Sequence, residues 1–195
     1  MRMPPPFRAV IFDLDGVLAD SEPWWNEIDK KLLGEYGVTY RGEYHRNVLG
    51  VSYRLAVEFY KKVFGLSAPT EELMGRRGEI AAEFFTKRVG LFPSTRAVLT
   101  ELRQMNLRLA VATSSVGASA RPFLDRHRLT AFFEVIVTGE EIESGIAAAR
   151  AAGMRVAAVP DMRFVDPHDY EKEADYVLED LSGILALICR PRLAN

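Results

Sequence analysis

Two aspartates separated by one residue, Asp13 and Asp15, sit in the string Phe12-Asp13-Leu14-Asp15-Gly16-Val17-Leu18-Ala19-Asp20-Ser21. The string follows a short apolar run at 8–12, Arg-Ala-Val-Ile-Phe, of the kind that forms a strand buried on both faces. Carboxylates at i and i+2 just beyond such a strand lie at the carboxyl edge of a sheet. Held there they repel each other unless a cation lies between them. Magnesium suits that position, since it takes hard oxygen ligands and keeps several waters. One carboxylate of such a pair can attack phosphorus and form an aspartyl-phosphate, while the other manages the proton of the leaving group. Gly16 lets the chain turn away. A bare Asp-x-Asp is just as well an acidic turn. The apolar strand before it and the helical stretch after it favour chemistry here.

A second set of polar residues follows another apolar run. Residues 107–112, Leu-Arg-Leu-Ala-Val-Ala, end at Thr113-Ser114-Ser115. A hydroxyl there can donate to a phosphate oxygen, and the N–H groups of a helix start can bind the anion. Thr113 and Ser114 are therefore the candidate substrate-binding residues.

Further strand-like runs at 134–137, 155–159 and 176–178 alternate with helical patterns at 95–104, 118–126 and 142–152, the last ending at Gly153. Alternation of this kind predicts right-handed βαβ units and a parallel sheet. Between the first two strands lie three amphipathic segments, near 22–36, 52–64 and 70–88, and no convincing strand. An insertion after the first strand would stand over the carboxyl edge, where open α/β sheets bind ligands. The expected architecture is an α/β Rossmann-like core formed by residues 1–19 and 91–195, with a helical cap at 20–90.

The Asp13-to-Ser21 string resembles the first signature motif of haloacid dehalogenase (HAD) superfamily phosphatases and phosphomutases. The helical insertion resembles the cap of the β-phosphoglucomutase and phosphoglycolate phosphatase branch. The resemblance implies Asp13 as nucleophile and Asp15 as general acid/base whose backbone carbonyl also binds the metal, with Mg2+ as cofactor and Thr113 as phosphate ligand. It implies a phosphatase for a small phosphorylated metabolite. The alternatives are a phosphosugar mutase, or a catalytically impaired member that binds phosphate or a protein partner. Gly50-Val51-Ser52 resembles a substrate-facing segment of such caps, although a helix start with Ser52 as N-cap is the better reading.

The pattern breaks further along. The family places a Lys after the third strand and an acidic pair after the next. Here no Lys occurs between Val89 and Glu171, and the Lys, a helix and a whole central strand are missing around 138–153. One repair is that 155–159 slides in to pair with 8–12, which would bring Asp161 to the carboxyl edge as a substitute metal ligand beside Asp13 and Asp15. Glu140, Glu141 and Glu143 read as acidic residues favouring a helix N-terminus.

The remaining features bound the function rather than define it. The 195-residue chain is 48% hydrophobic and 27% charged with net charge −2, which offers no basic field for nucleic acid. No run approaches the roughly 18 apolar residues of a membrane span. A single cysteine, Cys189, and no signal-peptide core point to a cytoplasmic setting. Trp24 and Trp25 read as core residues. Arg41, Arg54, Arg76 and Arg77 read as solvated helix faces. His45, His127 and His168 form no ligand pattern and read as surface or cap residues.

Overall fold

A computed structural model describes residues 7–48, 51–139 and 149–189. The strand at Ala9–Phe12 (β1) pairs in parallel with Arg108–Ala112 (β4), and that strand pairs in parallel with Val135–Val137 (β5). The registers Phe12↔Val111 and Ala112↔Val137 bring the three carboxyl ends level with one another. Parallel strands need crossover connections. Here the connection from β4 to β5 carries helix α5, Gly117–Arg126. The helix at Thr95–Gln104 (α4) precedes β4 and buries Val98, Leu99 and Leu102 at helical spacing.

A two-stranded antiparallel ribbon, Ala19–Asp20 (β2) with Gly90–Leu91 (β3), lies at the two ends of the 20–90 insertion. The insertion consists of helices Glu22–Glu35 (α1), Tyr53–Phe64 (α2) and Thr70–Lys87 (α3), with a short 3-10 helix at Gly42–Asn47. Ser52 caps α2, its hydroxyl accepting from Leu55 N at 3.4 Å, and Gly65 ends that helix in the left-handed region. Helix α3 packs against α5, with Phe85 and Phe123 edge to face at 5.7 Å. One apolar core runs from the sheet into the insertion, from Leu109 and Val111 through Phe123 and Phe85 to Ile28 and Leu32.

Each helix of the insertion contributes one member of a buried polar cluster. Asp29 of α1 is fully buried and accepts from Arg77 of α3, Nε at 2.7 Å and NH2 at 3.1 Å, and from the Tyr60 hydroxyl of α2 at 2.7 Å. Burial works against the Arg77 charge, but Asp29 outweighs it and raises the Arg77 pKa above its ordinary value. The solvated-face expectation is therefore corrected for Arg77. The helix turns its guanidinium inward, stacked over Trp25 at 4.6 Å and Tyr53 at 4.7 Å. Arg76, one position on, does face solvent and pairs with Glu35 and Glu79.

The sliding of 155–159 into the sheet is also corrected. Ala157–Ala158 (β6) pairs with Tyr176–Val177 (β7) in a separate parallel ladder, and among the described residues β1 pairs only with β4. The physical reason is local satisfaction of hydrogen bonds. Val156 N donates to the Asp175 carboxylate at 2.7 Å, Val156 O accepts from Tyr176 N at 3.1 Å, and Ala158 O accepts from Leu178 N at 2.8 Å. With these groups paired, nothing drives the segment onto β1. Arg155 instead stacks on Phe7 at 4.3 Å, and Val159 packs on the main core. The last helix, Gly183–Cys189 (α6), buries Ile188. The Glu140, Glu141 and Glu143 positions lie outside the described residues.

Asp29→Ala leaves the buried Arg77 without its counter-charge. The expected loss is about 3–5 kcal/mol, the usual cost of breaking a buried pair from one side. A urea midpoint unchanged by the substitution would refute the role given to this pair.

Candidate active site

The loop after β1 is wound around one carbonyl. Leu14 O accepts from Leu18 N at 3.0 Å and Ala19 N at 2.9 Å, while the Leu14 and Leu18 side chains are fully buried. Gly16 adopts φ +70°, a conformation that side-chain-bearing residues resist. The turn is thus fixed by an apolar anchor on each side, and it presents Asp13 and Asp15 into one cavity.

The two carboxylates have different surroundings. Asp13 Oδ1 accepts from Leu14 N at 2.7 Å, and the side chain opens onto the cavity. Protein packed around the cavity floor, then the charges of Asp15 and Glu22, push the Asp13 pKa from 3.8 to about 7. The cavity-facing surface of Asp13 lets water reach it, so part of that effect is screened. Asp15 is surrounded by donors. Its Oδ1 accepts from the Trp25 indole N–H at 2.9 Å, and its Oδ2 from the Ser115 hydroxyl at 2.7 Å and the Thr113 hydroxyl at 3.3 Å. The sequence-predicted residues therefore meet. Thr113 is buried and directed at Asp15, while Ser114 lines the cavity.

Ser115 and Trp25 join them without having been expected. Ser115 also donates its backbone N–H to the Thr113 hydroxyl at 3.0 Å, closing a small ring of bonds behind Asp15. Trp25 does belong to the core, as its type suggested, but its indole N–H also reaches the site. The loop carrying Ser114 and Ser115 is held from behind by Gly139, whose N–H donates to Ser115 O at 2.9 Å. A Cβ on Gly139 would stand 2.1 Å from Ser114 O, so only glycine lets the end of β5 approach this closely.

The cavity has a volume of about 660 Å³ and reaches from Asp13 and Asp15 to β6 and the loop after it, including Asp161. Asp161 does not turn its carboxylate to the pair. Its Oδ1 accepts from Arg163 Nε at 2.8 Å and its Oδ2 from Arg163 NH2 at 2.6 Å, and Arg163 also binds Asp20. Burial pushes the Asp161 pKa up, but the bonds with Arg163 outweigh it and hold the pKa below the ordinary value. His45, expected as a surface or cap residue, is buried within the insertion and lines the same cavity, while His168 is exposed. No group of three or more His, Cys, Asp or Glu side chains able to hold a metal occurs among the described residues. Two neighbouring carboxylates, one of them paired with a single N–H and raised by its neighbour's charge, form a hard-oxygen donor set that suits magnesium, which commonly takes one or two protein carboxylates.

An acidic pair at the carboxyl edge of a parallel α/β sheet, roofed by a helical insertion, defines a class of phosphate-handling folds. The chain matches the haloacid dehalogenase-like hydrolase family over residues 10–145 and belongs to it. It is 31% identical to a phosphorylated carbohydrates phosphatase of Thermotoga maritima, over 71% of this chain and 64% of that protein's length. It is 26% identical to (DL)-glycerol-3-phosphatase 1, mitochondrial, of Arabidopsis thaliana, over 88% of this chain and 70% of that one. Its fold matches CbbY from Rhodobacter sphaeroides in complex with phosphate, with TM-score 0.79 and 19% identity over 93% of this chain and 99% of the other.

The Asp13 shift carries a sign that can be measured. Between pH 4 and 7 the folded state holds a proton that the unfolded state releases, so this group's contribution to stability falls as pH rises through that window. In EDTA, the unfolding midpoint of the wild type should fall across the window relative to Asp13→Asn, and magnesium at pH 8 should restore it in the wild type alone. A wild-type-minus-variant difference that stays constant with pH would contradict the assignment.

Proposed function

We propose that the chain is a magnesium-dependent phosphatase for a small phosphorylated metabolite, acting through a phosphorylated Asp13. The observation that carries this reading is the division of labour at the end of β1. Asp13 faces the cavity with one N–H bond, and Asp15 beside it is fixed by Trp25, Ser115 and Thr113. Asp13 in its ionised form attacks phosphorus, and the bond to the leaving oxygen breaks. Asp15 delivers a proton to that oxygen, then takes one from the water that hydrolyses the aspartyl-phosphate. The donors around Asp15 hold it at the right place for both steps. Ser114 and the N–H groups opening α5 would receive phosphate oxygens.

Asp13 would hold the magnesium through its carboxylate and Asp15 through its backbone carbonyl, because the Asp15 carboxylate oxygens already accept from Trp25, Ser115 and Thr113, and Arg163 likewise occupies those of Asp161. Bound there, the ion neutralises charge on the phosphoryl group. The named phosphatases among the relatives support this reading.

A specific observation also supports slow turnover. No lysine lies between Val89 and Glu171, and Arg77 at the cavity is committed to Asp29. A missing cation near developing charge costs on the order of 10²–10³-fold in rate.

The test is hydrolysis of p-nitrophenyl phosphate with and without magnesium. Wild-type hydrolysis should require the ion and fall by roughly 10³-fold or more in Asp13→Asn, the scale of losing a nucleophile. Binding of a phosphate mimic with no turnover would instead support a phosphate-binding protein. Activity persisting in Asp13→Asn would remove the nucleophile assignment.

A further inference from the structure

Among the described residues a few buried side-chain polar atoms lack a hydrogen-bond partner, the hydroxyls of Ser21 and Ser119, Oδ1 of Asn26 and both ring nitrogens of His45; of these residues only His45 lines the cavity. It sits on the 3-10 helix Gly42–Asn47 of the insertion and is only 6% exposed. Neither of its ring nitrogens has a hydrogen-bond partner. A buried polar group without a partner is costly and uncommon, and it calls for an explanation. The ring stands edge-on to Phe164, with Nε2 3.5 Å from Glu22 Oε2, and both His45 and Glu22 line the cavity that holds Asp13 and Asp15. His45, with no contact closer than the one from Nε2 to Glu22 to satisfy its ring nitrogens, thus belongs to the wall of a ligand site.

The size and charge of that cavity narrow the ligand. A volume of about 660 Å³ far exceeds what a phosphoryl group fills, since a water occupies about 30 Å³ of the liquid. Beyond the aspartate pair the wall carries the acidic side chains of Glu22, Asp166 and Glu173. Of the arginines among the described lining residues, Arg77 is neutralised by Asp29, which leaves Arg46. A second negative charge on a substrate would meet this field unfavourably. Hydroxyl groups would not. A hydroxyl can donate to one imidazole nitrogen or to the Glu22 carboxylate, and accept from the protonated imidazole nitrogen.

We propose that His45, with Glu22 beside it, is the leaving-group subsite of this cavity, and that it selects the monophosphate of a neutral polyhydroxyl compound over one whose leaving group carries a carboxylate. This rests on the phosphatase reading above. A site built to pair with a hydroxyl discriminates strongly against substrates that leave its buried groups unpaired.

The experiment compares glycerol 3-phosphate, phosphoglycolate and p-nitrophenyl phosphate as substrates of the full chain with magnesium, for the wild type, His45→Ala and His45→Gln. Wild-type kcat/KM should favour glycerol 3-phosphate over phosphoglycolate by about tenfold, the scale of one hydrogen bond. In His45→Ala the ratio of kcat/KM for glycerol 3-phosphate to that for p-nitrophenyl phosphate should fall by about tenfold, and His45→Gln should recover part of it. A preference for phosphoglycolate, or an equal loss on both substrates, overturns the subsite. Should the wild type hydrolyse none of the three, the phosphatase reading fails, and the subsite is decided by calorimetric titration of glycerol 3-phosphate into Asp13→Asn with magnesium. Affinity weakened about tenfold by adding His45→Ala supports it, and unchanged affinity overturns it.

Discussion

Everything at this site follows from two carboxylates being forced close together where β1 ends. The loop cannot relieve the repulsion by moving, because Leu14 and Leu18 are locked into the core and the Leu14 carbonyl ties three successive N–H groups back onto itself. It relieves part of it by surrounding one member with donors. Asp15 receives hydrogen bonds from the insertion through Trp25 and from the sheet through Ser115 and Thr113. Asp13 receives only backbone N–H groups, and burial first, then the charge of Asp15, raises its pKa. The asymmetry gives one carboxylate a fixed position and leaves the other facing the cavity.

The insertion reaches this arrangement through a second buried charge. Asp29, Arg77 and Tyr60 come from three helices, and the Arg77 guanidinium lies over both Trp25 and Tyr53. Trp25 is in turn the donor to Asp15. A buried ion pair contributes less to net stability than a well-packed apolar group would, so its value here lies in register. Only one rotation of α1 and α3 about their axes satisfies Asp29 and at the same time aims the Trp25 indole at the site. The roof is therefore coupled to the chemistry through contiguous contacts rather than through the ribbon at its ends alone.

Local signals made much of this legible in the sequence. The strand before Asp13, the run before Thr113 and the three helices of the insertion each carry a strong periodicity, and the structure forms them within a residue or two of the expected limits. The pairs that depend on three-dimensional closure were not legible. Arg77 and Arg76 are adjacent arginines on one helix, and nothing in their types says that one turns inward to a carboxylate 48 positions away. His45 gave no ligand pattern because its neighbour Glu22 opens the first helix and His45 follows that helix by ten residues. Ser114 and Ser115 are the same residue type, and the turn after β4 decides which one reaches Asp15. The expectation for 155–159 failed for a different reason. It asked which strand most needed a partner, whereas the segment had a nearer one in β7, offering an Asp175 carboxylate as well as backbone.

That outcome bears on the chemistry. The cavity that holds Asp13 and Asp15 is bounded on the far side by β6 and its following loop. The stretch of sequence around 138–153, where a strand was expected, also lacks a lysine. On the proposed reading, a divalent ion must then balance much of the charge of Asp13 and the phosphoryl group, since of the two arginines among the described lining residues Arg77 is bound to Asp29 and only Arg46 is left. Charge on the substrate beyond its phosphate would make that imbalance worse, while hydroxyls would leave it unchanged. The fold thus biases the site toward neutral leaving groups through what the chain is missing as much as through the residues it retains.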